Sequence, residues 1–368
     1  MNKIVKIFLG ALVSVALTSV AFAGEVTVTG SAKASYRINS SDSSTAKQDT
    51  TKGFGVSNEL NFSASGELDN GWTWNWGIDF DQADRTVAGG GIDDAKLTLT
   101  TPMGTVGIFQ SEGSLRSAAY AWDVSAFGAA TDNGAGGSMV IGYEISSLNN
   151  VQYHLPAGLL PFGITGQVAY AQSCDSGPND FKGAGTTCTP AVGTAQTVTA
   201  GSTGLSAETT GAVYESVTQY AVQATPIDGL TIKADYTDFS HPASANKAEE
   251  GHIGAKYAYG PVTVGYGKGY ISPENNSTAA TGVTAFVNTS YGIGFKVNDQ
   301  LSVSYTQEKS HVDLNTNASE ETLKVNSIQA AYNIGGATVA VSQDDIQNDN
   351  YTTNKDVKET LFTLVMAF

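Results

Sequence analysis

Residues 59–81 read ELNFSASGELDNGWTWNWGIDFD. In the first arm Leu60, Phe62, Ala64 and Leu68 alternate with Glu59, Asn61, Ser63 and Glu67. In the second, Trp72, Trp74, Trp76, Ile78 and Phe80 alternate with Thr73, Asn75, Asp79 and Asp81. Successive strand side chains point to opposite faces, so each arm has one greasy face and one wet face. Asp69-Asn70-Gly71 between them suits a tight turn with positive φ. Three tryptophans at alternate positions do not fit the inside of a soluble core without polar closure. On a barrel they face lipid, and those near the rim form an aromatic girdle.

Working outward, the same pattern recurs in segments of about ten residues, the signature of a membrane barrel. Upstream, Val26, Val28, Ala32, Ala34, Tyr36 and Ile38 oppose Thr27, Thr29, Ser31, Lys33, Ser35 and Arg37. Downstream, strands are expected near 94–100, 105–110, 149–155, 162–172, 213–224, 230–238, 251–259, 262–270, 285–297, 301–309, 322–333, 337–343 and 358–368. The total is sixteen. Short turns such as Pro102-Met103-Gly104 and Gly260-Pro261 then alternate strictly with long loops, and both termini return to one side. Met139 to Ile145 also alternates, but a strand there breaks the parity, so it is assigned to the loop between Ser111 and Leu148. Leu323 and Val325 take one parity while Ile328, Ala330 and Tyr332 take the other, which predicts a β-bulge near Ser327. The chain ends with Phe362, Leu364, Met366 and Phe368 on one face. That strand must close the barrel, because an open edge in lipid leaves backbone groups unpaired.

The N-terminus is of another kind. Lys3 and Lys6 precede an apolar run ending in Ala21-Phe22-Ala23, which describes a signal peptide over residues 1–23 cleaved before Gly24. The run falls short of the ~20 residues a spanning helix needs. Residues 24–368 then form one barrel domain. The net charge is −16, with charged residues at 15% and 41 glycines. Low charge with abundant glycine suits a polar lumen inside an apolar band. The acidity excludes nucleic acid as a partner, since no basic stripe exists to meet phosphate. Export places Cys174 and Cys188 in an oxidising compartment, where a local disulfide within the loop from about Ser173 to Ala212 is expected. The four histidines, His154, His241, His252 and His311, are scattered, so no metal site and no cofactor is expected. No serine nucleophile turn or phosphate-binding glycine loop is present, which argues against an enzyme. Asp344-Asp345 and Asn348-Asp349-Asn350 are placed in the last loop, where hard oxygen ligands could hold Ca²⁺ or bridge lipopolysaccharide. An ordinary solvated acidic loop is the simpler reading.

These residues resemble the Gram-negative general-porin family over the whole mature chain. Gly66-Glu67-Leu68-Asp69-Asn70-Gly71-Trp72 is similar to the family's acidic turn between strands two and three. Leu97 to Ile108, with Gly104-Thr105-Val106, resembles its fourth and fifth strands. The terminal Phe368 matches the family's terminal Phe, the signal read by the outer-membrane assembly machinery. The resemblance implies a homotrimer of sixteen-stranded antiparallel transmembrane β-barrels in the outer membrane, each with its third loop folded inward as a constriction. Outer-membrane lipid and lipopolysaccharide would surround it. It implies passive diffusion of small hydrophilic solutes. Constriction candidates are Glu112, Arg116, Asp123, Asp132 and Glu144. Wall candidates, by parity, are Lys33, Arg37, Glu59, Asp79, Lys96, Lys233 and Asp235. Where many members read Gly-Arg-Gln before the third loop, this chain has Phe109-Gln110-Ser111. A basic member of the constriction is missing there, and a mild preference for cations is expected. A substrate-specific channel, an adhesin-like barrel acting through its outer loops, and a soluble β-sandwich are the competing readings. The last leaves Trp72 to Trp76 and Phe368 unexplained.

Overall fold

The computed structural model describes residues 26–43, 46–47, 51–81, 94–110, 112–135, 139–142, 145, 149–172, 196–199, 204–207, 216–240, 248–273, 282–316 and 320–368. Sixteen antiparallel strands close into one barrel: β1 Thr27–Ser43, β2 Thr51–Glu67, β3 Thr73–Asp81, β4 Asp94–Thr101, β5 Gly104–Gln110, β6 Asn150–His154, β7 Thr165–Gln172, β8 Ser216–Ala224, β9 Leu230–Ser240, β10 Glu249–Tyr259, β11 Val262–Ser272, β12 Val283–Lys296, β13 Leu301–Leu314, β14 Thr322–Ile334, β15 Ala337–Gln347 and β16 Asp356–Ala367. Each strand pairs with the next. β16 returns to β1, with Ser31 opposite Ala367 and Asp42 opposite Asp356. Phe368 extends the ladder by exchanging backbone hydrogen bonds with Gly30 at 2.9 and 3.0 Å. Closure leaves no sheet edge, the condition for a sheet to stand in hydrocarbon. The two-residue strand Ala46–Lys47 pairs with the end of β1, and Gln196–Thr199 forms a separate hairpin with Gly204–Ala207. Residues 1–25 lie outside the described residues, so the leader expected there is not placed.

The hairpin that opened the sequence reading forms as its residues require. Leu68 N–H donates to Trp72 O at 2.7 Å and Gly71 N–H to Leu68 O at 2.8 Å, with Gly71 at φ +79°. A side chain at that φ would be strained, which is why glycine sits there. Trp76 lies in one row with Ala64 and Leu97. That row belongs to the outward face, because Leu97, Ile108, Tyr220, Val222, Ile253, Tyr266 and Ile293 on the same parity are exposed. The opposite parity is polar and buried: Gln219, Thr237, Glu250, Thr306, Ser310 and Gln329. The barrel thus has a greasy exterior and a polar interior.

Two expectations are corrected. No bulge occurs at Ser327, because β14 keeps unbroken register with β13 and with β15. The parity change arises because Leu323 and Val325 face the interior. There they pack with Ile271, Val283, Phe286, Val312, Ile346, Tyr351 and Val357 into a dry cluster at the loop end of β11–β16. Each such side chain, fully buried, contributes about 1.5–3 kcal/mol. The register shift falls instead between Val283 and Ala285. Second, Asp344 and Asp345 lie within β15, not in a loop. Their side chains therefore point to opposite faces and cannot share a cation. Met139 to Ile145 forms no strand among its described residues. Met139 and Val140 pack on the dry cluster, and Ile145 is buried in a second one with Leu115, Ala169, Val217 and Phe239. Two docking surfaces, not a sheet, account for that alternation.

Candidate functional site

The polar interior and the described residues of the segment linking β5 to β6 (112–135, 139–142, 145 and 149) form the candidate site. The strands place acceptors and donors along the interior at every second residue. The segment uses them as it passes around the wall. Gln152 Nε2 on β6 donates to Gly113 O at 2.5 Å. Ala118 N–H donates to Asp235 Oδ2 on β9 at 3.0 Å. Ala126 N–H reaches Ser304 Oγ on β13 at 2.8 Å, and Phe127 N–H reaches Gln329 Oε1 on β14 at 2.9 Å. Thr131 gives both its N–H (3.2 Å) and its hydroxyl to Glu308 on β13. Asn133 then accepts from β1, through its side chain from Lys33 Nζ at 3.3 Å and through its carbonyl from Arg37 Nη2 at 2.9 Å.

The segment returns along a second track. Val140 N–H donates to Tyr351 Oη at 3.1 Å, and Val140 O accepts from Asn288 Nδ2 on β12 at 2.8 Å. His252 on β10 joins the two tracks. Its Nδ1 lies 2.7 Å from Asp235 Oδ1 and its Nε2 lies 2.9 Å from Ile141 O. Carboxylate and carbonyl both only accept, so the ring bridges them as a double donor. Asp235 thereby holds Ala118 on the outgoing track and, through His252, Ile141 on the return. Arg116 Nη1 closes the neck by donating to Gly142 O at 2.6 Å.

Packing selects the absence of side chains under this segment. A β-carbon at Gly265 would overlap the Trp122 carbonyl, and one at Gly294 would overlap the Val124 carbonyl. At Gly267 it would stand 2.5 Å from Trp122 Cδ1, and at Gly254 2.8 Å from Ala118 O. Trp122 is 1% exposed and donates its Nε1–H to Ala119 O at 2.8 Å. Burial pushes the Tyr120 hydroxyl up to about 12, with Asp132 and Glu308 adding to the rise and Arg116 opposing it. The phenol stays neutral across the working range.

Of the expected constriction residues, Glu112 pairs with Lys96 Nζ at 2.5 Å and Arg116 closes the neck. Asp123 accepts from Ser125 N–H at 2.9 Å. Asp123 and Asp132 have no lysine or arginine partner among the described residues. Glu144, like Cys174 and Cys188, lies outside the described residues. Of the wall residues, Lys33 and Arg37 meet Asn133, and Arg37 Nε also lies 3.3 Å from Glu359 Oε1. Glu59, Asp79, Lys233 and Asp235 share the interior face by register, and Glu59 Oε1 accepts from Asn61 Nδ2 at 2.8 Å. Sequence reading missed His252, Glu308, Gln329 and the glycine seat. The seat had a signal: Gly265, Gly267 and Gly269, then Gly292 and Gly294, replace the polar member of the alternation.

A closed barrel, greasy outside and polar within, is the form in which a sheet crosses an outer membrane and encloses an aqueous passage. The sequence profile of the Gram-negative porins matches residues 10–295, and the chain belongs to that family. No curated protein matches the chain in sequence. Among solved structures, Salmonella typhi OmpF in complex with daunomycin gives a TM-score of 0.63 at 14% identity, over 94% of this chain and 98% of that one. The outer membrane channel DcaP of Acinetobacter baumannii gives 0.64 at 12% identity, over 94% and 97%. The anion-selective porin from Comamonas acidovorans gives 0.60 at 11% identity, over 94% and 100%. At these identities the likeness concerns the fold.

Proposed function

We propose that this chain is a general diffusion porin whose inward-folded β5–β6 segment narrows the lumen and whose narrow part mildly prefers cations. The observation that carries the reading is the run of hydrogen bonds from that segment to interior side chains of β6, β9, β10, β12, β13, β14 and β1. A segment bound to that many strands on the polar face takes up lumen area. The charges support the preference. Lys96 is offset by Glu112, and Arg37 by Glu359, while Asp123 and Asp132 have no paired lysine or arginine among the described residues. Fixed carboxylates in a narrow, poorly screened channel concentrate cations. Arg116, Lys33 and Lys233 oppose this, so the preference is modest. The protein would act as a homotrimer in lipid and lipopolysaccharide, with Phe368 as its assembly signal after removal of residues 1–23.

Reconstitution in planar bilayers tests the reading. A KCl gradient should give a zero-current potential with the sign of K⁺ preference, larger at low salt. Asp123→Asn with Asp132→Asn should shrink it. A wild-type potential of the opposite sign would show that the wall lysines control the pore.

A further inference from the structure

The loop end of β13 carries a cluster that the channel does not use. His311 and Asp313 are two apart on one strand and share the outward face, with Tyr305 and Tyr332 exposed on the same parity below them. Glu320 comes from the connection that follows. His311 Nε2 stands 3.3 Å from Asp313 Oδ1 and 3.9 Å from Glu320 Oε2. One ligand atom from each of the three lies within 4.8 Å of the others. The histidines are scattered in sequence; the fold supplies the carboxylates.

We infer that His311, Asp313 and Glu320 bind a borderline divalent cation of the zinc class, tying the β13–β14 connection to the barrel wall. Three observations carry this. First, bonds of about 2.0–2.2 Å to a four-coordinate ion hold adjacent ligand atoms roughly 3.3–3.6 Å apart; His311 and Asp313 already stand at that spacing, and Glu320, 3.9 Å from the imidazole, needs only a small side-chain movement to join them. Second, both the imidazole and the glutamate are aimed from outside the cluster. His311 Nδ1 lies 2.9 Å from Thr322 Oγ1, and Leu314 N–H donates to Glu320 Oε1 at 3.2 Å. An Nδ1–H given to the threonine leaves the Nε2 lone pair pointing at the two carboxylates, the tautomer and outer support of a metal-binding histidine. Third, neither carboxylate pairs with a lysine or arginine among the described residues, so with the imidazole neutral, as metal ligation requires, the cluster offers two anionic ligands to a cation. The mixed nitrogen and oxygen set favours Zn²⁺, Ni²⁺ or Cu²⁺ over Ca²⁺ and Mg²⁺, which take oxygen. Water would complete the coordination, since the cluster is only half-buried.

Calorimetric titration of the metal-free, folded protein in detergent with ZnCl₂ tests this. CaCl₂ and MgCl₂ are run in parallel, and CoCl₂ supplies a visible spectrum. The expected result is one saturable Zn²⁺ per chain, weakened at least about tenfold by His311→Ala and by Glu320→Gln. Co²⁺ should show d–d bands that both substitutions abolish. If His311→Ala fails to fold, the isosteric Glu320→Gln in the connection decides alone. Absence of saturable Zn²⁺ binding overturns the inference. So does binding that survives both substitutions, which would place the ion on another histidine. Ca²⁺ binding as tight as Zn²⁺ and indifferent to His311→Ala overturns it too, leaving only an acidic surface.

Discussion

Strands β9–β14 meet the β5–β6 segment with glycines and short-range hydrogen-bonding side chains, acceptors and donors both, whereas β1 and β4 meet it with lysine and arginine. On the first wall, glycines admit the Trp122 and Val124 main chain, and Asp235, Glu308 and Gln329 satisfy backbone N–H groups. On the second, Lys33, Arg37 and Lys96 reach across to Asn133 and Glu112. The difference separates two tasks. The covered wall is a packing surface, where each side chain sets where the segment lies. The reaching wall is an electrostatic surface, where long side chains can be exchanged without moving the backbone.

The strongest attack on this division is Trp122→Ala. Trp122 fills the seat between Gly265 and Gly267 and is 1% exposed. Its removal should cost about 3–5 kcal/mol in segment docking or barrel stability. Single-channel recording should show a larger or noisier conductance. A conductance and denaturation midpoint equal to wild type would mean the tryptophan is not the anchor.

A paired glycine comparison is next. Gly265→Ala forces a methyl into the Trp122 carbonyl, and overpacking of this kind costs about 1–3 kcal/mol. Gly53, on the interior parity of β2, has open space where a β-carbon would stand. Gly53→Ala should stay within about 0.5 kcal/mol of wild type. Urea unfolding from detergent, monitored by tryptophan fluorescence, gives both values. Equal effects would erase the distinction between the walls.

The smallest effect is expected at Lys96→Gln. The Lys96 and Glu112 side chains are 36% and 23% exposed, and pairs this accessible contribute no more than about 1 kcal/mol. Stability should barely change. Glu112 loses its counter-charge, so the zero-current potential should move toward cations. An unchanged potential would show that the Lys96–Glu112 pair lies off the conducting path.

Alternation, together with the parity of turns and loops, determined the sixteen strands, their turns and the face that most residues take. Side-chain direction in a strand is a local property with a period of two, and membrane closure allows one answer for the edges. Lys33, Arg37, Lys96 and Asp235 could therefore be put on the interior from their neighbours. Leu323 and Val325 misled for a physical reason: an apolar residue near a strand end reports that its surroundings are dry, without saying whether lipid or packed loop excludes the water. Only the tertiary structure decided that, because Phe286, Tyr351 and Met139 come from strands and connections distant in sequence. The same holds for charge. The acids of the β5–β6 segment are visible in the sequence. That Glu112 is paired, that Asp123 and Asp132 have no lysine or arginine partner among the described residues, and that Asp235 reaches two tracks, the second through His252, depends on which strands the segment crosses. Local chemistry sets the direction of a side chain; the company it keeps in space sets what its charge does.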